Sequence, residues 1–146
     1  MSDEALLAFG IKHADTILDL NQVLGFIKIF PMDDLMKVLK QRTTRMQYHN
    51  SKFHDLMLMK YFYHNSTVAH FLKLESTENK TGQQSPLESY NNCKGMIKGT
   101  LKRTKRWKPR GKWCRLVERF RNNCKEILRR LDVKIAACLK RTDGEF

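Results

Sequence analysis

A chain of 146 residues has room for one domain or two small modules and is too short for a large multi-part enzyme. Apolar residues at 41% and charged residues at 29% are the proportions of a chain that buries a core, which excludes wholesale disorder. The formal charge of +13 is unusual for this size and bears on partners and solubility rather than on fold.

In chain order, the predicted elements are all helices. Ser2 or Asp3 caps a first short helix carrying Ala5, Leu6, Leu7 and Phe9, which Gly10 is expected to weaken or end. Asp15 opens a second, in which Ile17, Leu18, Leu20, Val23, Leu24 and Ile27 recur at three- and four-residue steps, and Pro31 closes it. A third follows, with Asp33 and Asp34 complementing the positive end of its dipole and Leu35, Leu39, Arg42 and Met46 on one side. Asn50 and Ser51 offer a break before residues 53–63, FHDLMLMKYFY. Apolar side chains lie all round that helix, which predicts a central core element, with a groove for a partner helix as the rival reading. A last short helix over 66–74 leads into residues 75–84, which hold no large apolar side chain and read as a polar linker.

Ser85-Pro86-Leu87-Glu88 has the spacing of a capping box with proline at the first helical position, so a helix is expected from Pro86 to about Arg106. Its stripe is Leu87, Tyr90, Cys93, Ile97 and Leu101. Pro109 and Gly111 then turn the chain. From Lys112 the pattern is the cleanest in the sequence: Trp113, Leu116, Val117, Phe120, Cys124, Ile127, Leu128, Leu131, Ile135, Cys138 and Leu139 share an arc of about 140° at 100° per residue, with Val133 outside it. The predicted organisation is all-α: a neutral helical module (1–74), a polar linker (75–84), a basic helical hairpin with a long amphipathic C-terminal helix (85–141) and a short acidic tail (142–146).

Charge divides the chain more sharply than hydropathy does. Residues 1–93 carry ten Lys/Arg and ten Asp/Glu, residues 94–141 carry eighteen and three, and the tail adds Asp143 and Glu145. Clustered cations bind a polyanion through counterion release without reading its sequence. The expected nucleic-acid contacts, to DNA or RNA, are Lys98, Lys102, Arg103, Lys105, Arg106, Trp107, Lys108, Arg110, Lys112, Arg115, Arg119, Arg121, Lys125, Arg129 and Arg130. Trp107, near the turn, is the candidate to stack on an unpaired base, whereas Trp113 sits on the apolar stripe and reads as core. Lys102-Arg103-Thr104-Lys105-Arg106 also has the composition of a nuclear-import signal, which makes the nucleus the expected compartment. Asn122 and Asn123 are placed to be solvated rather than to read bases.

The rival reading is a non-catalytic subunit that docks through Trp113, Val117, Phe120, Cys124, Ile127 and Leu131, on an acidic protein or a second copy. A third lays the same stripe on anionic lipid or in a calmodulin-like groove. The N-terminus reads as no secretory signal, and the most apolar stretch, 23–30, is far short of a bilayer span. Accordingly, the Asn-X-Ser/Thr matches at Asn65 and Asn79 carry little weight. Cys93, Cys114, Cys124 and Cys138 lack metal-ligand spacing, and Cys124 and Cys138, on the apolar stripe, read as buried free thiols. No phosphate loop, nucleophile elbow or zinc-protease motif is present, and the five histidines form no pair suited to catalysis. No enzyme activity, cofactor or metal is expected.

Overall fold

The computed structural model describes residues 2–14, 32–45 and 51–144. These form five α-helices: α1 (Asp3–Ala14), α2 (Met32–Arg45), α3 (Ser51–Thr81), α4 (Leu87–Thr104) and α5 (Lys112–Gly144). The described residues contain no strand, so the fold is all-α as the periodicity predicts. The helix expected over 15–27, together with Pro31, Met46, Asn50 and Glu145, lies outside the described residues.

The helix α1 runs through Gly10 rather than ending there. A Cβ at Gly10 would stand 3.1 Å from Leu35 of α2 and 3.6 Å from Phe62 of α3, so the missing side chain lets three helices approach closely, and that contact outweighs the low helix propensity of glycine. Asp33 and Asp34 occupy the first turn of α2 as expected.

The helix α3 is longer than the sequence suggests. The core helix, the separate helix over 66–74 and most of the 75–84 linker are one continuous element of 31 residues. The residues that suggest a break are accommodated locally. The hydroxyls of Ser66, Thr77 and Thr81 donate to the carbonyls of Tyr63, Lys73 and Thr77 in the preceding turn, a pattern that serves helix interiors when no cap is needed. Asn65 is buried and its amide donates to the Tyr61 carbonyl at 2.8 Å, which removes it as a glycan acceptor. The final turns of α3 have no apolar anchor, but Glu75 and Glu78 reach cations on α5.

Gly82, with φ +69°, ends α3 in the left-handed conformation that glycine adopts without penalty, and its N–H bonds back to the Glu78 carbonyl at 2.8 Å. The capping box at Ser85 and Glu88 does not form. Pro86 is the N-cap and no side chain caps the helix, so α4 starts one residue later than predicted. Instead, the Ser85 N–H donates to Glu78 Oε1 (3.3 Å) and to the Tyr90 hydroxyl (3.1 Å), and Tyr90 itself donates to Glu78. An ionised carboxylate already held on α3 is the better acceptor, and it fastens the turn to α4. Burial and the Glu78 hydrogen bond push the Tyr90 phenol up to about 12. Burial raises the Glu78 carboxyl, but hydrogen bonds from Lys134, Tyr90 and Ser85 outweigh it and hold the group below its ordinary value.

The core is one cluster shared by all five helices. Leu6 and Leu7 of α1 and Leu35 and Val38 of α2 meet the N-terminal half of α3, whose buried Met57, Leu58, Tyr61 and Phe62 confirm it as the central element. The stripe of α5 closes the other side against Tyr61 and against Tyr90, Cys93 and Ile97. Tyr61 lies edge-on to Trp113 (centroids 6.0 Å apart) and to Phe120 (6.3 Å), and Phe120 stacks on Trp107 at 5.9 Å. Phe120 of α5 therefore meets α3 and the α4–α5 turn at once. Truncating it as Phe120→Ala is expected to lower unfolding free energy by about 3–5 kcal/mol, measured by chemical denaturation and accompanied by a red shift of tryptophan emission.

Candidate nucleic-acid interface

The antiparallel arms α4 and α5 form the predicted hairpin, and their apolar stripes face α3 and each other. That arrangement turns the cations outward. It also buries the candidate docking stripe: Trp113, Val117, Phe120, Cys124, Ile127 and Leu131 are each 3% exposed or less. The residues expected to meet a partner or lipid are thus the face that closes this chain's own core. Val133, the one bulky misfit, is 61% exposed, and Leu139 in the last turns is 49% exposed.

The cations fall into two groups according to what faces them. At the open end of the hairpin the acids take them up. Lys94 pairs with Asp132 at 2.6 Å, Arg129 binds both oxygens of Glu126 (2.6 and 3.0 Å), Arg130 bridges Glu126 and Glu75, and Lys134 pairs with Glu78 at 2.8 Å. Hydrogen bonds from Arg129, helped by Arg130, bring the Glu126 carboxyl down to about 2. Arg129 and Arg130, expected among the nucleic-acid contacts, are therefore already held by carboxylates. Each of these pairs is partly exposed and contributes little to stability alone.

At the turn end the opposite holds. Residues 98–125 carry twelve Lys/Arg and one acid, Glu118. Among the described residues, Lys98, Lys102, Arg103, Lys105, Arg106, Lys108, Arg115 and Lys125 are exposed and take part in no ion pair, while Arg119 and Arg121 are half-buried and likewise unpaired. Arg110 and Lys112 are exposed, and Lys112 lies 5.6 Å over the Trp113 ring. Lys94, Lys98, Lys102 and Lys105 recur at four, four and three residues, so they form one row along α4 and its C-cap, with steps of about 6, 6 and 4.5 Å along the axis at 1.5 Å per residue. The Lys94–Asp132 pair shows that this row borders α5, and Lys105 meets Arg121 and Lys125 of α5 around one groove. Charge that looks evenly scattered in the sequence is in fact concentrated at one pole.

Trp107 is the clearest departure from expectation. Its N–H bonds to the Thr104 carbonyl at 3.2 Å as the chain leaves α4, and the ring turns inward, 6% exposed, between Phe120 and His64. A buried indole cannot stack on a base, so Trp107 is a core residue. Tyr63 of α3, 57% exposed, is an aromatic side chain that remains at the surface beside this pole. It sits edge-on to His64 at 5.1 Å, and His64 is close enough to Arg103 to feel its charge.

Of the four thiols, Cys93 and Cys124 are buried, Cys138 is half-buried and Cys114 is exposed. Burial alone pushes Cys93 up to about 11 and Cys124 up to about 12, which makes them inert hydrophobes rather than nucleophiles. No cluster of three or more His, Cys, Asp or Glu suited to a metal ion occurs among the described residues, and no described helix is long and apolar enough to cross a membrane. Comparison with protein-family models, curated proteins and solved structures returns no match.

His64 links this pole to stability. It is buried, with Thr100 Oγ1 3.5 Å from Nδ1, and burial, reinforced by the positive charges of Arg103 and Lys60, lowers its pKa to about 4. In the unfolded chain it titrates near 6.5, so the unfolded state takes up a proton first as the pH falls. The stabilisation from a neutral His64 is complete above 6.5 and is lost progressively toward 4, by up to about 3 kcal/mol. The difference in unfolding free energy between the wild type and His64→Gln is expected to shrink over that interval and level off below it, as read from denaturation at a series of pH values.

Proposed function

We propose that this chain binds nucleic acid through the turn end of the α4–α5 hairpin, by phosphate contacts that are largely independent of sequence, and that it acts in the nucleus. The observation that carries the reading is the pole of twelve Lys/Arg against one acid over residues 98–125, fixed on two packed helices and the turn between them, with Lys98, Lys102, Arg103, Lys105, Arg106, Lys108, Arg115 and Lys125 exposed. A surface with this density of Lys and Arg releases counterions on meeting a polyanion that carries one charge per about 1.7 Å of axis. A rigid scaffold lowers the ordering cost of the encounter. Burial of Trp107 takes away the main stacking platform, which favours backbone contact over capture of splayed bases. Lys102, Arg103, Lys105 and Arg106 sit exposed at the end of α4, where an import receptor has access to the same cations. A docking role for the α5 stripe has no comparable support, because those side chains are spent on the core.

The reading is tested by titrating the full chain with labelled duplex DNA, single-stranded DNA and RNA over a salt series. Neutralising Lys98, Lys102, Lys105 and Lys108 together is expected to flatten the salt slope by about 3–4 and to weaken binding at low salt by at least about a hundredfold. Arg129→Gln with Arg130→Gln, which removes two cations that already have carboxylate partners, is expected to change the slope by less than about 1. Equal effects from the two sets of variants, or no measurable binding of any polyanion, would sink the proposal.

A further inference from the structure

The cations at the turn end are not equivalent. A groove of about 400 Å³ lies between the 104–109 turn and the outer side of α5. Its walls carry four cations, Lys105, Lys108, Arg121 and Lys125, against one carboxylate, Glu118, with the Asn122 amide beside them. These groups come from the turn and from α5, with Thr104 at the end of α4 completing the lining, so only the folded chain brings them together.

Two of the residues that line the groove carry unusual features. The Nε–H of Arg121 is enclosed and has no acceptor among the described residues, an arrangement that native structures rarely leave unmet. Lys108 has φ +46°, in the left-handed region where a side chain is strained and glycine is not, and it directly precedes Pro109, which restricts its backbone further. That strained backbone sets Lys108 in the lining of the groove.

We infer that this groove is a seat for a single phosphate group, with the Arg121 guanidinium as its hydrogen-bonding anchor and Lys105, Lys108 and Lys125 supplying the surrounding charge. The inference deepens the nucleic-acid reading and rests on it for the source of the phosphate, which is either a strand end or an internal position of the backbone. Planar guanidinium against phosphate gives directed hydrogen bonds that a diffuse cationic surface does not.

The experiment uses pyrophosphate as the probe, titrated into the full chain at physiological ionic strength and followed by calorimetry and by amide NMR shifts. Saturable binding with shifts confined to residues around 104–125 is expected. Arg121→Gln should weaken it by at least about tenfold, and Lys80→Gln, a charge-matched change at an exposed position on α3, by less than about twofold. Lys108→Gly should weaken pyrophosphate binding while raising Tm by about 2 °C, since it relieves the backbone as it removes the charge. Absence of saturable binding, or equal losses in the Arg121 and Lys80 variants, overturns the seat. Oligonucleotides with a 5′-phosphate or a 5′-hydroxyl then separate the two sources: a preference for the phosphorylated end assigns the seat to strand ends, and equal affinity assigns it to the backbone. If pyrophosphate binds and no oligonucleotide does, the seat stands and the nucleic-acid reading fails. If oligonucleotides bind and pyrophosphate does not, the reading stands and the seat fails.

Discussion

Everything at the basic end of this protein depends on how the apolar stripe of α5 is used. Phe120 sits between Tyr61 of α3 and Trp107 of the turn, with Cys124, Ile127 and Leu131 continuing the contact along the helix. A helix of 33 residues carrying so many cations would repel itself and its neighbours if it were not held by that burial, and each buried aromatic or aliphatic side chain contributes about 1.5–3 kcal/mol. Once the stripe faces inward, the direction of every cation follows from the 100° step of the helix. The positive surface is thus a geometric consequence of the core.

The acids then edit that surface. Glu75 and Glu78 lie at the end of α3, and Glu126 and Asp132 lie on either side of the middle of α5, all beyond the turn end of the hairpin. They engage Lys94, Arg129, Arg130 and Lys134, whereas the turn end has a single carboxylate, Glu118, among its twelve cations. Like-charge repulsion within residues 98–125 is a standing cost, and the strained backbone at Lys108 and the unmet donor on Arg121 add to it. Structures tolerate such features where a ligand removes them. A neutral histidine packed beneath this pole fits the same logic, since a charged one would add to the repulsion.

How much of this was legible in the sequence depended on the range of the interaction. The stripe of α5 is written in local periodicity and appears in the structure as read, whereas α3 begins at Ser51, within the break expected before residues 53–63. The Glu126 contacts to Arg129 and Arg130 were also readable, because helix neighbours three and four apart meet. The length of α3 was not. Its polar C-terminal turns look like a linker until Glu75 and Glu78 are seen against cations more than fifty residues away. The same long-range carboxylate displaced the capping box at Ser85, and Gly10 looked like a helix breaker because its close neighbours, Leu35 and Phe62, are distant in sequence. Trp107 was misread for a related reason: residues beside a turn are exposed by default, and only the packed position of Phe120 shows where the indole goes. The groove around Arg121 joins three segments and leaves no one-dimensional trace.

The central claim is that bound polyanion covers the turn end and leaves the open end of the hairpin bare. Amine-reactive footprinting of the full chain, with and without a saturating short duplex and read lysine by lysine by mass spectrometry, tests it directly. Protection of Lys98, Lys102, Lys105, Lys108 and Lys125, with Lys94, Lys134 and Lys140 unchanged, is the predicted result. Protection centred on Lys134 and Lys140, or spread evenly over all lysines, would contradict it.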